Sequence, residues 1–206
     1  MKTISPVALL LVVALSGCAA IQSAGEVNAG RQAYLIGNNE AALSYFQRAA
    51  QRDPDYIYGT QLPQGVWSYI GRTEYASGRL APARQALERA LAANRREDIA
   101  RLYLGMTLAR EGDRQRGLKE IDGGMRGIHS WLEDISQTQR FSVGKFWDPQ
   151  RQIRSEIQTT LAMISMPSID WNKVIASGEW VGKTMEAEAD RAQRDEANEF
   201  SHLVDQ

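Results

Sequence analysis

Few residues in this chain have the types and spacing that metal or cofactor chemistry needs. The two histidines, His129 and His202, lie far apart in the sequence, and no His-x-x-x-His spacing occurs. That spacing is a common way to hold two imidazoles on one helix face against a metal ion. We therefore expect neither a metal site nor a cofactor.

The sequence also lacks the usual patterns of a catalytic nucleophile and of a phosphate-binding loop. Ser77 falls at the end of a predicted helix, not at the strand-to-helix turn of a nucleophile elbow. The glycine pair at 123–124 lies inside a predicted helix, without the lysine and hydroxyl of a phosphate loop. Glu133 and Asp134 are adjacent, so a helix directs them to different faces. These patterns predict that the chain is not an enzyme; a hydrolase would need a pocket of convergent titratable groups.

The only cysteine, Cys18, follows one lysine and an apolar run of about a dozen residues, which is typical of a secretory signal. A membrane span needs about 20 apolar residues. Leu15-Ser16-Gly17-Cys18 resembles the lipobox of bacterial lipoproteins. The resemblance implies a signal peptide over 1–17 and acyl chains on Cys18, each buried methylene contributing about 0.8 kcal/mol. An ordinary signal peptide with a chance cysteine stays open as the alternative.

The residue after Cys18 indicates in which membrane the protein would be anchored. In that family an aspartate after the cysteine retains the protein in the inner membrane, so Ala19 implies the periplasmic face of the outer membrane of a Gram-negative cell. A thiol that carries lipid leaves none for a disulfide. We expect residues 18–28 to form a lipidated tether.

The stretch 67–93 predicts two amphipathic helices joined at Gly78. Small residues at Gly71 and Ala83 lie where the helices would cross, and glycine at 78 allows a left-handed cap. Its order, Trp-x-x-Ile-Gly, then Gly-x-Leu-x-x-Ala, then Leu-x-x-Ala-Leu, resembles a tetratricopeptide repeat, a helix-turn-helix unit of about 34 residues.

The same marks occur twice more. Gly105 follows Gly71 by 34 residues (105 minus 71), and Gly30 precedes it by 41 (71 minus 30). The seven extra residues fall within 53–66, where two prolines and two glycines mark an irregular loop at 55–63. Tyr56, Ile57 and Tyr58 of this loop either pack on the array or form a contact patch. The repeats predicted within 29–131 are 29–54, 64–97 and 98–131.

Residues 132–200 predict helices that cap the array, because a repeat stack leaves an apolar face at its end. Asp148 is predicted as the N-cap and Pro149 as the first position of one helix. A last helix is predicted from near Asp170, and from Glu186 its polar composition predicts a solvated helix. Residues 201–206 are predicted to be a frayed tail. The fold class predicted is all-α, a TPR-type helical solenoid of about three helix pairs with C-terminal capping helices.

In the tetratricopeptide family, the first helix of each repeat lines a concave groove. The resemblance carries this role to Arg31, Tyr34, Leu35, Ser68, Arg72, Tyr75, Leu102, Met106 and Arg110. Arginine offers a planar fork to carboxylates or phosphates, so this set suits an extended, partly acidic peptide. The alternative is that these arginines are solvated or pair with the chain's own acidic terminal helix.

The charge balance of the chain limits which partners it could attract. Lysine plus arginine number 24 against 25 aspartates plus glutamates, and removing Lys2 with the signal leaves 23 against 25. This balance provides no field that would attract nucleic acid. The function expected is a membrane-anchored periplasmic scaffold that binds a partner protein or peptide in envelope assembly or export. The alternative is a structural lipoprotein associated with peptidoglycan or polysaccharide export.

Overall fold

The computed structural model describes residues 6–140 and 142–204, with side chains from residue 21 onward except at 200 and 202–204. These residues form helices α1 to α8 and one small hairpin of strands β1 and β2. In chain order they are α1 Pro6–Leu35, α2 Asn39–Arg52, β1 Ile57–Tyr58, β2 Gln64–Gly65, α3 Val66–Ala76, α4 Leu80–Ala93, α5 Asp98–Arg110, α6 Arg114–Thr138, a 3₁₀ helix Val143–Phe146, α7 Gln152–Ile164 and α8 Trp171–Val204. The prediction of a mainly helical chain is confirmed.

Three helical hairpins, α1–α2, α3–α4 and α5–α6, follow one another, and each packs on the next through α2–α3 and α4–α5 contacts. Glycines with positive φ end the first helix of each hairpin: Gly37 at 82°, Gly78 at 74° and Gly112 at 100°. Glycine takes this left-handed conformation without a clash at Cβ. The predicted cap at Gly78 is therefore present.

A glycine also sets the helix contact inside each hairpin. A Cβ added at Gly30, Gly71 or Gly105 would lie 2.5–2.6 Å from Phe46, Leu87 or Ile121 respectively. Each partner is 16 residues later (46 minus 30, 87 minus 71, 121 minus 105). The same close approach therefore recurs in all three hairpins, because only glycine leaves room for it.

The loop predicted at 55–63 is partly ordered as a hairpin. Ile57 pairs with Gly65 and Tyr58 with Gln64 in antiparallel register. Tyr56 and Tyr58 pack against the apolar cluster of the first hairpin, whereas Ile57 is exposed. This outcome matches the packing alternative for the two tyrosines.

The segment predicted as a tether, 18–28, is helical and belongs to α1. Ser23 and Val27 are buried, and Glu26 accepts hydrogen bonds from Arg48 and Arg52 of α2. The ordered array therefore begins before residue 29. The predicted signal peptide lies partly outside the described residues, at 1–5, and no described helix is long and apolar enough to cross a membrane.

After the third hairpin, α7 packs against α6 and α8, as a covering helix would. The predicted start of α7 is wrong by three positions: it begins at Gln152, because Asp148 and Arg151 adopt positive φ and interrupt the helix. The Asp148 carboxylate still caps α7, accepting from the amides of Ile153 and Arg154 at 3.0 and 3.1 Å. Trp131 and Trp147 pack edge to face beside this turn.

The predicted solvated end of the last helix is a further correction. Helix α8 contacts α1, α5 and α7, and Glu186 and Ala192 are buried within these contacts. The polar side chains of α8 are not simply exposed, because they meet oppositely charged groups on the helices beneath. Of the predicted frayed tail, residues 201–204 continue α8 and 205–206 lie outside the described residues.

Candidate functional site: a carboxylate-binding inner face

Helices α1, α3 and α5 together present one surface to α8, which we call the inner face and define by its residues Arg31, Arg72, Tyr75, Met106 and Arg110. Arg31 on α1 and Arg72 on α3 are 41 residues apart (72 minus 31), which is also the offset between the first two hairpins. The fold therefore places two equivalent arginines side by side on adjacent first helices.

One carboxylate of α8 lies between these two arginines. Glu186 is fully buried, and its Oε1 accepts a hydrogen bond from Arg31 Nε. Its Oε2 forms an ion pair with Arg72 Nη2 at 2.8 Å. Arg31 and Arg72 are themselves only 2% and 1% exposed. The three groups thus form a buried charge cluster that joins α8 to two hairpins.

Neutral and acidic neighbours add hydrogen bonds to the cluster. Gln64 from β2 accepts from Arg72 Nη1 at 2.7 Å and donates to Glu186 Oε2 at 3.5 Å. Arg31 also donates to Asp190 at 2.6 Å, and Gln32 donates to the second oxygen of that carboxylate at 3.0 Å. A buried charge is tolerated where its polar atoms are paired in this way.

Tyrosine rings surround both guanidinium groups. Arg31 lies 4.7 Å from the centroid of Tyr58. Arg72 lies 5.2 to 5.4 Å from the ring centroids of Tyr34, Tyr69 and Tyr103. The electron-rich faces of these rings attract a cation and exclude water, so they favour arginine at positions where a charge would otherwise be costly.

Burial and charge pairing have opposite effects on the Glu186 pKa. Burial alone raises it, but Arg72 and then Arg31 stabilise the carboxylate more strongly, and the pKa is lowered from its ordinary value. The pKa values of Arg31 and Arg72 are raised: desolvation opposes the charged form, but Glu186 together with the neighbouring tyrosines, and Asp190 at Arg31, outweighs it. The cluster is therefore ionised throughout the neutral range.

A second carboxylate of α8, Glu179, meets the inner face about two turns before Glu186 in that helix. Glu179 Oε1 accepts from the Tyr75 hydroxyl at 2.7 Å and from Arg110 Nη2 at 2.6 Å. Arg110 also stacks 4.5 Å from the Tyr75 ring centroid. Burial and then the hydrogen bond to Glu179 raise the Tyr75 pKa, so this phenol stays a donor.

Small residues bring α8 close enough for these contacts. A Cβ on Gly178 would lie 2.6 Å from Met106 Sδ and 3.5 Å from Leu102 Cδ1, and a Cβ on Gly182 would lie 2.8 Å from the Tyr103 hydroxyl. Gly178 and Gly182 are one turn apart, so they form one flat strip on α8. The inner face thus recognises both the shape and the charge of this helix.

The structure brings most of the nine predicted groove residues together. Six of them contact α8: Arg31, Arg72, Tyr75, Leu102, Met106 and Arg110. Tyr34 instead forms a hydrogen bond with Tyr103 through the two hydroxyl groups at 2.9 Å. Ser68 is buried away from α8, beside Glu97, and Leu35 is half-buried. Most of these positions thus lie on the inner face, and the chain's own helix occupies that face.

Sequence reasoning missed the counterpart residues on α8, namely Glu179, Gly182, Glu186 and Asp190. A signal was available. The apolar side of this helix, with Val174, Gly178, Val181 and Met185, continues into Ala189 and Ala192, so Glu186 borders a stripe with helical spacing. Judging the segment by its overall polarity concealed that stripe.

A cavity of about 350 Å³ stays open beside α8 at the Glu179 end of the inner face, with Tyr34, Tyr75, Arg110 and Lys183 among its lining residues. Elsewhere, His129 Nε2 is 3.1 Å from Gln158 Nε2, and the His202 side chain lies outside the described residues. In the described part of the chain, no group of three or more histidine, cysteine, aspartate or glutamate residues is arranged to hold a metal ion.

The evidence for this site is its geometry, because the comparisons with known proteins found no match. The two arginines, their tyrosines and the complementary strip of α8 together describe a surface that binds an acidic helix. No protein-family model, curated protein or solved structure matches the chain.

Proposed function

We propose that this protein is a lipid-anchored scaffold of the bacterial envelope whose inner face binds an acidic helix, and that α8 is the resident occupant of that face. In this proposal the protein acts by binding and not by catalysis. The observation that carries it is the Glu186 carboxylate of α8, held by Arg31 and Arg72 from two separate hairpins.

The architecture proposed is a TPR-type solenoid of three helix pairs, covered at its end by α7. Three recurring features support it: the glycine contacts at the same spacing within each hairpin, the positive-φ glycines, and the offsets of 34 and 41 residues between hairpins. Arrays of this kind bury their cores by stacking and present one continuous surface for partners.

The anchor is assigned from sequence. Leu15-Ser16-Gly17-Cys18 supports lipidation at Cys18, and Ala19 supports the periplasmic face of the outer membrane. Because α1 continues without interruption from residue 18 into the first hairpin, the anchor would hold the inner face close to the membrane. A partner exposed at that surface would then meet the scaffold at a high local concentration.

The partner class follows from what α8 offers. It presents the carboxylate of Glu179 and, seven and eleven residues later, those of Glu186 and Asp190. It also presents two glycines four residues apart, Gly178 and Gly182. A partner segment with this spacing would fit the same arginines and tyrosines. Since α8 is tethered to the inner face, its effective concentration is of millimolar order, so a partner must bind more tightly than α8 or act after α8 has loosened.

The test is photocrosslinking in cells from a photoreactive residue placed at Tyr75, which lies at the junction of α8 and the open cavity. The matched control carries the same residue at exposed Lys119 on α6. We expect the Tyr75 probe, but not the Lys119 probe, to trap a foreign protein through an acidic helical segment. A synthetic peptide of residues 171–200 should compete with that segment for the purified protein.

A second arm loosens α8 by Gly182→Leu, because a side chain there would clash with Tyr103. We expect this variant to increase the yield of the foreign crosslink relative to the internal one. Crosslinks from Tyr75 that reach only residues 171–200 of the same chain, in both the parent and the loosened variant, would overturn the proposal.

A further inference from the structure

The cavity of about 350 Å³ beside α8 stays open although α8 occupies the inner face. All three hairpins and α8 contribute to its walls. Its lining includes Tyr34 from the first hairpin, Tyr75 from the second, Tyr103 and Arg110 from the third, and Glu179 and Lys183 from α8. A molecule bound in this cavity would therefore touch the last helix and the array at the same time.

Exposed Lys183 brings a positive charge to the cavity that the chain does not neutralise. Glu179 and Glu186 are the acids about one helical turn from it, four residues before and three residues after. Both carboxylates are instead held by arginines of the inner face. Among the described residues, the Lys183 ammonium consequently has neither an ion pair nor a hydrogen bond.

The titratable groups of the lining have a net positive charge. Arg110 and Lys183 are cations, and Glu179 is the acid among the lining residues. Burial raises the pKa values of Tyr75 and Tyr103, so these two phenols stay neutral. Two positive charges against one negative charge favour an anionic ligand over a cationic one.

The uncharged part of the lining suits a flat carbon skeleton. The rings of Tyr75 and Tyr103 pack edge to face with their centroids 5.4 Å apart. Tyrosine rings offer apolar contact to another ring. Asn39 adds an amide group that can donate to an anion. An organic carboxylate about the size of one aromatic ring matches this combination of walls and charge.

We propose that this cavity binds a small organic carboxylate, with the carboxylate group at Lys183 and the carbon skeleton against Tyr34 and Tyr75. Binding requires α8 in the position that it has in the structure and needs no foreign partner. Because the ligand contacts both α8 and the array, it stabilises the occupied inner face and opposes displacement of α8. This regulatory consequence rests on the proposed function, whereas the binding itself does not.

The experiment is a calorimetric titration of the purified full mature chain with benzoate at constant ionic strength. Benzamide is the neutral control, because it has nearly the same shape without the charge. We expect saturable binding of benzoate, no binding of benzamide, and a melting temperature that rises with benzoate concentration. Hydrogen exchange of the α8 amides should slow in the same samples, since the ligand holds α8 in place.

Two variants test the assignment. Lys183→Gln removes the contact to the carboxylate and should weaken benzoate binding about tenfold or more. Lys119→Gln, at an exposed position of α6, is the matched control and should leave binding unchanged. Ala76→Trp, at the exposed end of α3, should fill the cavity and block binding with Lys183 intact. Melting curves establish that each variant is folded.

Three outcomes would overturn the proposal: no saturable binding of benzoate, equal binding of benzamide, or unchanged binding by Lys183→Gln. Each is measured on the purified protein without a partner. Failure here is therefore distinguishable from failure of the crosslinking experiment at Tyr75, which tests the proposed function.

Discussion

Two buried glutamates near α3 have pKa values that are shifted in opposite directions. Glu186 lies between Arg31 and Arg72, and its pKa is lowered although burial acts to raise it. Glu97 is buried nearly as deeply, but burial prevails over the Gly65 amide, Ser68 and Arg72, and its pKa rises to about 7.

The difference shows that burial alone does not decide the charge of a carboxylate. Two adjacent guanidinium groups compensate for the desolvation of Glu186, whereas Arg72, which Glu97 shares with Glu186, does not compensate for the desolvation of Glu97. The first carboxylate therefore contributes to holding α8 as a charged group, whereas at the second burial favours the neutral acid.

The largest effect is expected from Glu186→Gln. Removing this charge leaves Arg31 and Arg72 buried without their carboxylate, a change that costs about 3–5 kcal/mol in comparable buried pairs. Denaturant unfolding at pH 7 should therefore show a large loss of stability. Exposed Glu88→Gln is the matched control and should change stability by less than about 0.5 kcal/mol.

The parent protein should also lose the Glu186 contribution in acid. Because the folded-state pKa of Glu186 is lowered, its stabilisation is complete above the unfolded value near 4.5 and declines as pH falls through the folded value. Glu186→Gln should flatten that part of the stability profile. An unchanged acid profile would mean that the arginines do not hold this carboxylate.

Glu97→Gln should have the opposite sign. A raised pKa means that folding favours the protonated form, so the contribution of Glu97 is present below pH about 4.5 and is lost as pH rises through about 7. At about 1.4 kcal/mol per pKa unit, the variant should exceed the parent in unfolding free energy by about 3 kcal/mol at pH 8.5. At pH 5 the two should differ little. Equal stability at both pH values would show that Glu97 is not desolvated.

Gly182→Leu tests whether shape contributes to α8 binding besides charge. The new side chain would overlap Tyr103, and overpacking of this kind costs about 1–3 kcal/mol. Gly25→Leu is the matched control, because a Cβ there meets nothing within 4 Å. Thermal unfolding should show a lower melting temperature for the first variant only. Similar melting of both variants would mean that α8 does not approach α5 closely.

The smallest effect is expected at the partly exposed end of the inner face. Arg110 and Glu179 are 36% and 40% exposed, and exposed pairs contribute about 0.2–1 kcal/mol. Glu179→Gln should therefore destabilise the protein much less than Glu186→Gln. Raising the salt concentration should make the loss caused by Glu179→Gln smaller still. A loss as large as that of Glu186→Gln would contradict the distinction between the two ends of α8.

Much of the array is predictable from the sequence because its causes are local. Gly71 and Gly105 sit where helices cross, and Gly78 and Gly112 where helices end, because each position needs a missing side chain or a positive φ. The start of α7 was not predictable in this way, since Asp148 caps the helix across an intervening turn with two left-handed residues.

The helices and their pairing into hairpins are predictable from the sequence, because helical period and glycine geometry act over a few residues. The occupation of the inner face by α8, and the burial of Glu97 beside the Gly65 amide, follow only from the tertiary structure. The physical reason is distance along the chain: Arg31 and Glu186 are 155 residues apart. Whether a polar helix is solvated or buried depends on the charges of the surface it meets, which no local pattern contains.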